Sequence, residues 1–99
     1  MDFELTNPHP GVILKDEFLE ELSLSMSELA RSIDVPVNRI SQIVKGTRSI
    51  TADSDLRLSK YFGLSEGFWL RLQNRYDLME VKRKGEIPLA DIRSYQYTS

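Results

Sequence analysis

The chain of 99 residues is 40% hydrophobic and 28% charged, a balance typical of one small globular domain rather than of a disordered segment. It has no cysteine, which excludes a disulfide framework and thiolate metal sites, and it has no apolar run near the roughly 20 residues that span a bilayer. The acidic N-terminus lacks the basic-then-apolar order of a secretory signal, so we expect a cytoplasmic protein with no membrane partner.

Charge is distributed unevenly along the chain. The net charge is −2 and the isoelectric point about 5.4, and residues 1–36 hold eight acids and only two bases. Residues 37–50 contain Arg39, Lys45 and Arg48 and no acid. Because a polyanion contacts a local surface rather than a net charge, the middle of the chain can bind nucleic acid, although the acidic remainder predicts modest non-specific affinity.

Apolar spacing and capping residues predict the first two helices. In the first, after Pro10, the residues Leu14, Phe18 and Leu22 recur every four positions and form one face. Ser25 and Glu28 form a capping box that opens the second helix. The buried face of this second helix is predicted to be Leu29, Ala30 and Ile33.

Three more helices follow a break at residues 34–36, where Asp34 suits a left-handed turn and proline cannot continue a helix. The third runs from Val37 to Lys45 and ends at Gly46. Thr51 is predicted to cap a fourth helix that stops at Gly63, and Ser65 to cap a fifth that ends near residue 78, with residues 82–84 as its frayed end. Residues 87–99, with a hint of alternation at Tyr95 and Tyr97, are compatible with a strand, a short helix or a tail.

Residues 25–46 have the pattern of a helix-turn-helix, whose second helix enters the major groove of DNA. Ile40, Ile43 and Val44 would face inward. The outward face combines side chains that can pair with base edges, namely Asn38, Ser41, Gln42 and Lys45, with Arg39 beside them. Thr47, Arg48 and Ser49 follow at once and suit phosphate oxygens.

Longer stretches of the sequence carry a family resemblance over residues 9–78. The segment SMSELARSIDVPVNRISQIVKG resembles the helix-turn-helix of the Xre and phage-repressor family. The HPG start, the core RISQIV, the link RSITAD and the end FWLRLQNRYDL are similar to the HigA branch of antitoxins, also described as VapI-like.

Residues 1–9 are predicted to form an N-terminal arm and residues 79–99 a C-terminal extension. For residues 10–78 the resemblance agrees with the predicted helices and implies an all-α, five-helix repressor-like domain. It implies a sequence-specific antitoxin that neutralises a RelE-like mRNA endonuclease toxin and represses its own operon as a homodimer on a palindromic double-stranded operator. The sequence has no nucleophile–base pair, metal-ligand cluster or phosphate-binding glycine loop, so we expect no enzyme activity and no cofactor. By position, the base-reading residues are Val37, Asn38, Ser41, Gln42 and Lys45, and the phosphate contacts are Ser27, Arg39, Thr47, Arg48 and Ser49.

Two positions depart from the family pattern. Met26 stands where the family commonly has glutamine at the start of the second helix, and Asp34 stands where the turn usually has glycine. Both predict weaker operator binding. They keep open a toxin-binding module that has lost DNA binding, beside a second alternative, a stand-alone Xre-type regulator without a toxin.

The remaining features admit more than one interpretation. The only histidine, His9, has no partners for catalysis or metal binding and is predicted to fix the entry to the first helix. The acids of the first helix form a solvated face, or alternatively a docking surface for a basic toxin. Part of the apolar and aromatic surface of the fifth helix and the C-terminal segment is predicted to form the dimer interface, with Phe68, Trp69, Leu72 and Tyr76 as its candidate residues.

Overall fold

Five helices follow one another along residues 6–96, the part of the chain that the computed structural model describes, and no strand occurs in that part. Helix α1 begins as an α-helical turn and continues as a π-helical stretch, and a short 3₁₀ turn follows α5. The bounds are Pro10–Ile13 and Leu14–Leu19 for α1, Met26–Ser32 for α2, Val37–Lys45 for α3, Ala52–Phe62 for α4, Phe68–Lys84 for α5 and Leu89–Asp91 for the 3₁₀ turn. The all-α, five-helix prediction is confirmed.

The predicted arm and extension reach beyond the described residues. Residues 1–5 of the arm and residues 97–99 of the extension, including Tyr97, lie outside them. The alternation suggested at Tyr95 corresponds to no strand, because residues 92–96 follow the 3₁₀ turn without regular structure.

Local capping chemistry determines where α2 and α4 begin, as predicted. The backbone N–H of Glu28 donates to Ser25 Oγ at 3.0 Å, and the N–H of Ser25 donates to Glu28 Oε1 at 3.0 Å, which completes the capping box. The N–H of Ser54 donates to Thr51 Oγ1 at 3.3 Å. Helices α3 and α4 end at glycines with positive φ, Gly46 at 81° and Gly63 at 70°.

The π-helical stretch changes which side of α1 is buried. A π-turn bonds residues five apart, and the N–H of Glu20 donates to the carbonyl of Lys15 at 2.9 Å. The buried face therefore passes from Leu14 to Leu19, while Leu22 is 59% exposed. The prediction that Leu22 shares the buried face with Leu14 is wrong, because it assumed an uninterrupted α-helical period.

The start of α5 also differs from the prediction. Ser65 does not cap it; the helix begins at Phe68, after Gly67, whose φ is 92°. The cap is Asp55 on α4, whose carboxylate accepts hydrogen bonds from the backbone N–H groups of Gly67 at 2.7 Å, Trp69 at 2.8 Å and Leu70 at 3.1 Å. A carboxylate at a helix N-terminus satisfies unpaired N–H groups and complements the helix dipole.

The core lies where α1–α4 meet the first half of α5. It contains the predicted inward residues of α2, Ile40 and Ile43 of α3, and Trp69, which has no exposed surface; the half-buried Val44 packs against it. The buried apolar residues are Leu14, Leu19, Leu29, Ala30, Ile33, Val35, Ile40, Ile43, Ile50, Leu58 and Trp69. The prediction that Trp69 belongs to the dimer interface is therefore wrong, because its side chain is fully buried within its own chain.

Helix α5 continues to Lys84, beyond the predicted end near residue 78. From Val81 to Gln96 every residue is exposed, so the last turns of α5 and the following segment do not join the core. Among residues 6–96 no helix combines the length and apolar character needed to cross a membrane.

Candidate nucleic-acid interface

The turn between α2 and α3 sets the relative placement of these two helices. Asp34 adopts the left-handed conformation with φ of 59°, as predicted. The N–H of Val35 then donates to the carbonyl of Ala30 at 3.0 Å, and Pro36 stands at the N-cap of α3 with extended backbone. The chain reverses within three residues, the connection that a helix-turn-helix requires.

Helix α3 divides into a buried and an exposed side. Ile40 and Ile43 have no exposed surface and Val44 is half-buried. The predicted base-reading side chains lie on the other side, where Val37, Asn38, Gln42 and Lys45 are exposed and Ser41 is half-buried. The structure thus presents all five together on one helix face.

Close backbone contact holds α3 against α1. A Cβ atom added at Gly11 would lie 1.8 Å from the carbonyl oxygen of Ile43, well inside van der Waals contact. Only glycine allows the first turn of α1 to approach the C-terminal half of α3 this closely. The main chain of α1 therefore fixes the position of α3 and, with it, the orientation of the exposed face of α3.

The loop after α3 is fixed at both ends. At its start, the N–H of Thr47 donates to the carbonyl of Gln42 at 3.0 Å, and the Thr47 hydroxyl donates to the same carbonyl at 3.2 Å. At its end, the N–H of Ile50 donates to Oε1 of the buried Gln73 at 2.8 Å. Between these points Arg48 and Ser49 are exposed.

An ion-pair network lies beside the exposed face of α3. Arg39 Nη1 contacts Asp53 Oδ1 at 2.6 Å, and Arg57 Nε contacts the same oxygen at 2.8 Å. Arg57 also donates to the carbonyls of Ile33 at 2.7 Å and Asp34 at 3.2 Å. The hydrogen bonds from Arg39 and then Arg57 hold the pKa of the Asp53 carboxyl below its ordinary value.

His9 occupies the junction of α1, α3 and α5. Its Nδ1 accepts a hydrogen bond from the N–H of Gly11 at 2.9 Å, and its ring meets that of Tyr76 edge-on at 5.0 Å between centroids. A Cβ atom at Gly46 would lie 3.7 Å from the His9 ring. Burial lowers the pKa of His9, partly opposed by the negative charge of Asp77. The prediction that His9 fixes the entry to the first helix is confirmed.

The predicted phosphate contacts do not all have the same surroundings. Ser27 is exposed in the first turn of α2, and Thr47, Arg48 and Ser49 are exposed beyond α3. Arg39, in contrast, is bound to an acid that the sequence analysis did not connect with it. Gln73 was also missed, because nothing in the spacing of the chain links it to Ile50, 23 residues earlier. No cluster of three or more acidic or histidine side chains suited to a metal ion occurs in residues 6–96.

The chain matches a known protein family. A helix-turn-helix family model matches residues 16–69, which include α2, α3 and α4. The chain is 45% identical over 75 residues to virulence-associated protein I of Dichelobacter nodosus, an alignment covering 76% of this chain and 69% of that protein.

Solved structures agree with this result. The chain superposes with a TM-score of 0.81 on the Pseudomonas aeruginosa antitoxin HigA with higBA promoter, at 38% identity, covering 89% of this chain and 97% of that one. It superposes equally well, with a TM-score of 0.81 and 40% identity, on an addiction module antidote protein of the HigA family from Coxiella burnetii, covering 92% and 100%.

Proposed function

The chain belongs to the HigA-type branch of the Xre helix-turn-helix family, and on this basis we propose that it is an operator-binding antitoxin. In this proposal a homodimer binds a palindromic operator, represses its own operon and neutralises a RelE-like mRNA endonuclease toxin. A family of DNA-binding regulators also agrees with the expectation that the chain is not an enzyme.

The division of α3 into two faces is the observation that carries the DNA-binding part of the proposal. Its buried isoleucines hold the helix in the core, and its five exposed or half-exposed base-reading candidates share the opposite face. Amide side chains at such positions can pair with adenine in two places, and lysine can reach the acceptors of guanine. One solved structure with the same fold is that of the Pseudomonas aeruginosa antitoxin HigA with the higBA promoter.

Phosphate binding is assigned to Ser27, Thr47, Arg48 and Ser49. These residues flank α3 on the exposed surface of α2 and of the loop before α4. Their hydroxyl groups and the guanidinium can fix the register of the protein on the duplex without reading its sequence.

The dimer part of the proposal rests on exposed apolar surface. Six of the large exposed hydrophobic residues follow position 77, and they include Leu78, Ile92 and Tyr95 at 63%, 66% and 76% exposure. This concentration of exposed apolar side chains in one segment fits a surface that a second chain covers. A two-fold dimer would also place two copies of α3 about 34 Å apart on one side of the duplex.

Fluorescence anisotropy tests the DNA-binding part. The purified chain is titrated onto a duplex carrying the upstream region of its own gene and onto a scrambled duplex, over a salt series. We expect at least a hundredfold preference for the upstream duplex, with two chains per site. No preference at any salt concentration would reject operator binding and favour a module that binds only a toxin.

Co-expression tests the toxin part. A RelE-like product of the adjacent gene should arrest growth when expressed alone, and this chain should restore growth and co-purify with that product. Growth arrest without rescue, or the absence of any such adjacent gene, would leave a stand-alone regulator.

A further inference from the structure

We propose that Asp53 is a specificity-determining residue, which withholds the Arg39 guanidinium from DNA phosphates so that base contacts rather than charge decide where the chain binds. This inference rests on the proposed function and extends it, since Asp53 lies outside every set of DNA contacts given above. The observation behind it is the contact of 2.6 Å between Arg39 Nη1 and Asp53 Oδ1.

Arg39 is placed where a phosphate contact would be expected. It is next to Asn38 on α3 and one helical turn before Gln42. A free guanidinium there would attract phosphate on any sequence, because phosphate contacts carry no sequence information and make up most of non-specific affinity. Such a contact would strengthen binding to random DNA as much as to the operator.

Asp53 is well placed to prevent this. It lies in the first turn of α4, where the helix dipole favours a carboxylate, and the hydrogen bonds from Arg39 and Arg57 lower its pKa further below neutrality. Arg57 contacts the same Asp53 oxygen at 2.8 Å and is itself tied to the carbonyls of Ile33 and Asp34. Asp53 therefore cannot follow Arg39 toward the duplex without breaking its contact with Arg57, which is held at the turn between α2 and α3.

The surroundings of Arg39 differ from those of the phosphate candidates. Only 26% of the Arg39 side chain is exposed, against 56% for Asp53. Lys45 and Arg48 are exposed cations on the same surface. Of the three basic residues in 37–50, Arg39 is therefore paired with an acid, whereas Lys45 and Arg48 are exposed to a DNA ligand.

The test measures how binding to random DNA depends on salt. Asp53→Asn keeps the shape of the side chain and removes its charge, which releases Arg39. The variant should bind random DNA more tightly, and the plot of log affinity against log salt should steepen by about 0.9 for each chain bound. Between 50 and 200 mM salt the ratio of variant to wild-type affinity should then change by about 3.5-fold per chain, and the preference for the operator should fall.

Glu66→Gln is the matched control. It removes one exposed acid beyond the opposite end of α4 and changes the net charge equally, so it isolates the effect of position. A second variant, Arg39→Gln, should leave the salt dependence of the otherwise wild-type chain unchanged. Combined with Asp53→Asn, it should cancel the steepening, because the released group is then absent.

Several results would overturn the inference. They are an unchanged or shallower salt dependence in Asp53→Asn, an equal steepening in Glu66→Gln, or a shallower dependence in Arg39→Gln alone, which would show that Arg39 already binds phosphate. Failure of the proposed function is seen separately, as an absent operator preference in the wild-type chain. If Asp53→Asn fails to fold, Arg39→Gln alone still tests the inference: an unchanged salt dependence supports it, and a shallower one rejects it.

Discussion

Gln42 and Arg48 are both exposed near the C-terminal end of α3 or just beyond it, but they are suited to different parts of the duplex. An amide can accept and donate at one base edge, whereas a guanidinium on a loop meets phosphate oxygens of any sequence. Truncating each side chain should therefore separate sequence readout from general affinity.

We expect Gln42→Ala to reduce operator binding by about 1–3 kcal/mol while binding to random DNA changes little. The reason is the loss of base contacts without loss of a cation. Anisotropy titrations on operator and scrambled duplexes measure both quantities. Arg48→Ala is the comparison, and it should weaken both duplexes alike and reduce the salt slope by about 0.9 per chain. Equal losses on both duplexes in Gln42→Ala would remove this residue from the base-reading set.

His9 gives the fold a dependence on pH near neutrality. Its Nδ1 must be unprotonated to accept the N–H of Gly11, and its pKa lies below the ordinary value near 6.5. The folded chain therefore binds the proton less readily than the unfolded chain. The stabilisation is fully present above about pH 6.5 and is lost as the pH falls through the lowered pKa.

Thermal unfolding between pH 7.5 and 5.5 tests this expectation. The melting temperature of the wild-type chain should fall across this range more than that of His9→Asn. Asparagine retains an acceptor that can cap Gly11 but does not titrate. Asp77 raises the pKa of His9 against the larger effect of burial, and it acts on this titration in the wild-type chain alone, so it narrows the expected difference without reversing it. Parallel pH profiles for the two chains would show that His9 does not couple protonation to folding.

At the scale of elements, α4 and α5 are joined by Asp55. This carboxylate is 1% exposed and accepts three backbone N–H groups around the start of α5. Asp55→Ala should lower the free energy of unfolding by about 2–4 kcal/mol, because it removes a cap and leaves buried N–H groups unsatisfied. Urea denaturation followed by circular dichroism measures the loss.

Ser65→Ala provides the comparison for this experiment. Sequence pattern assigns the cap of α5 to Ser65, whereas this residue is exposed and its hydroxyl accepts from Arg71 Nη2 at 3.5 Å rather than from the backbone of α5. Its removal should change stability by less than about 0.5 kcal/mol. If Ser65→Ala lowered the free energy of unfolding as much as Asp55→Ala, Ser65 and not Asp55 would be the cap of α5.

The same pair of residues shows how far the sequence could predict the fold. Caps made within one turn, as at Ser25 and Thr51, depend on neighbours in the sequence and were predicted correctly. The Asp55 cap joins residues at least 12 apart, so it follows only from the packing of α4 on α5. A signal was nevertheless present, since Asp55 shares the inward stripe of α4 with Leu58 and Phe62, where a charged residue needs buried partners.

The candidate interface likewise has features that the sequence could predict and features that it could not. The outer face of α3 follows from helical periodicity and could be predicted. The Arg39–Asp53 contact crosses 14 residues, and the Ile50–Gln73 hydrogen bond crosses 23. Neither contact can be predicted from the spacing of neighbouring residues. The π-helical register of α1 also depends on packing, and the four-residue period of Leu14, Phe18 and Leu22 does not reveal it.

At the scale of the whole molecule, the elongated shape reflects the part of α5 that leaves the core. The described chain measures 55 × 34 × 23 Å. The first half of α5 buries Trp69 and Gln73, whereas the residues from Val81 onward are exposed. Because only the first half of α5 is buried in its own chain, we propose that its second half and the following segment pack on a second copy.

The proposed dimer predicts that Leu78→Glu produces a monomer. A charge at this 63% exposed position costs the folded monomer little but would be buried without a partner in the dimer. Sedimentation equilibrium over a concentration series should give twice the chain mass for the wild type and the chain mass for the variant. Operator affinity should fall with it, since a single α3 makes too few contacts for specific binding.

Leu22→Glu is the matched control, because Leu22 is the same residue type and is 59% exposed in the turn after α1. It should remain dimeric and bind the operator as the wild type does. A dimeric Leu78→Glu would move the interface away from the second half of α5, toward Phe68, Leu72 and Tyr76, which are half-buried on its first half. A monomeric wild-type chain that still prefers its operator would mean that pairing occurs only on DNA, where the two recognition helices are brought together by the palindrome.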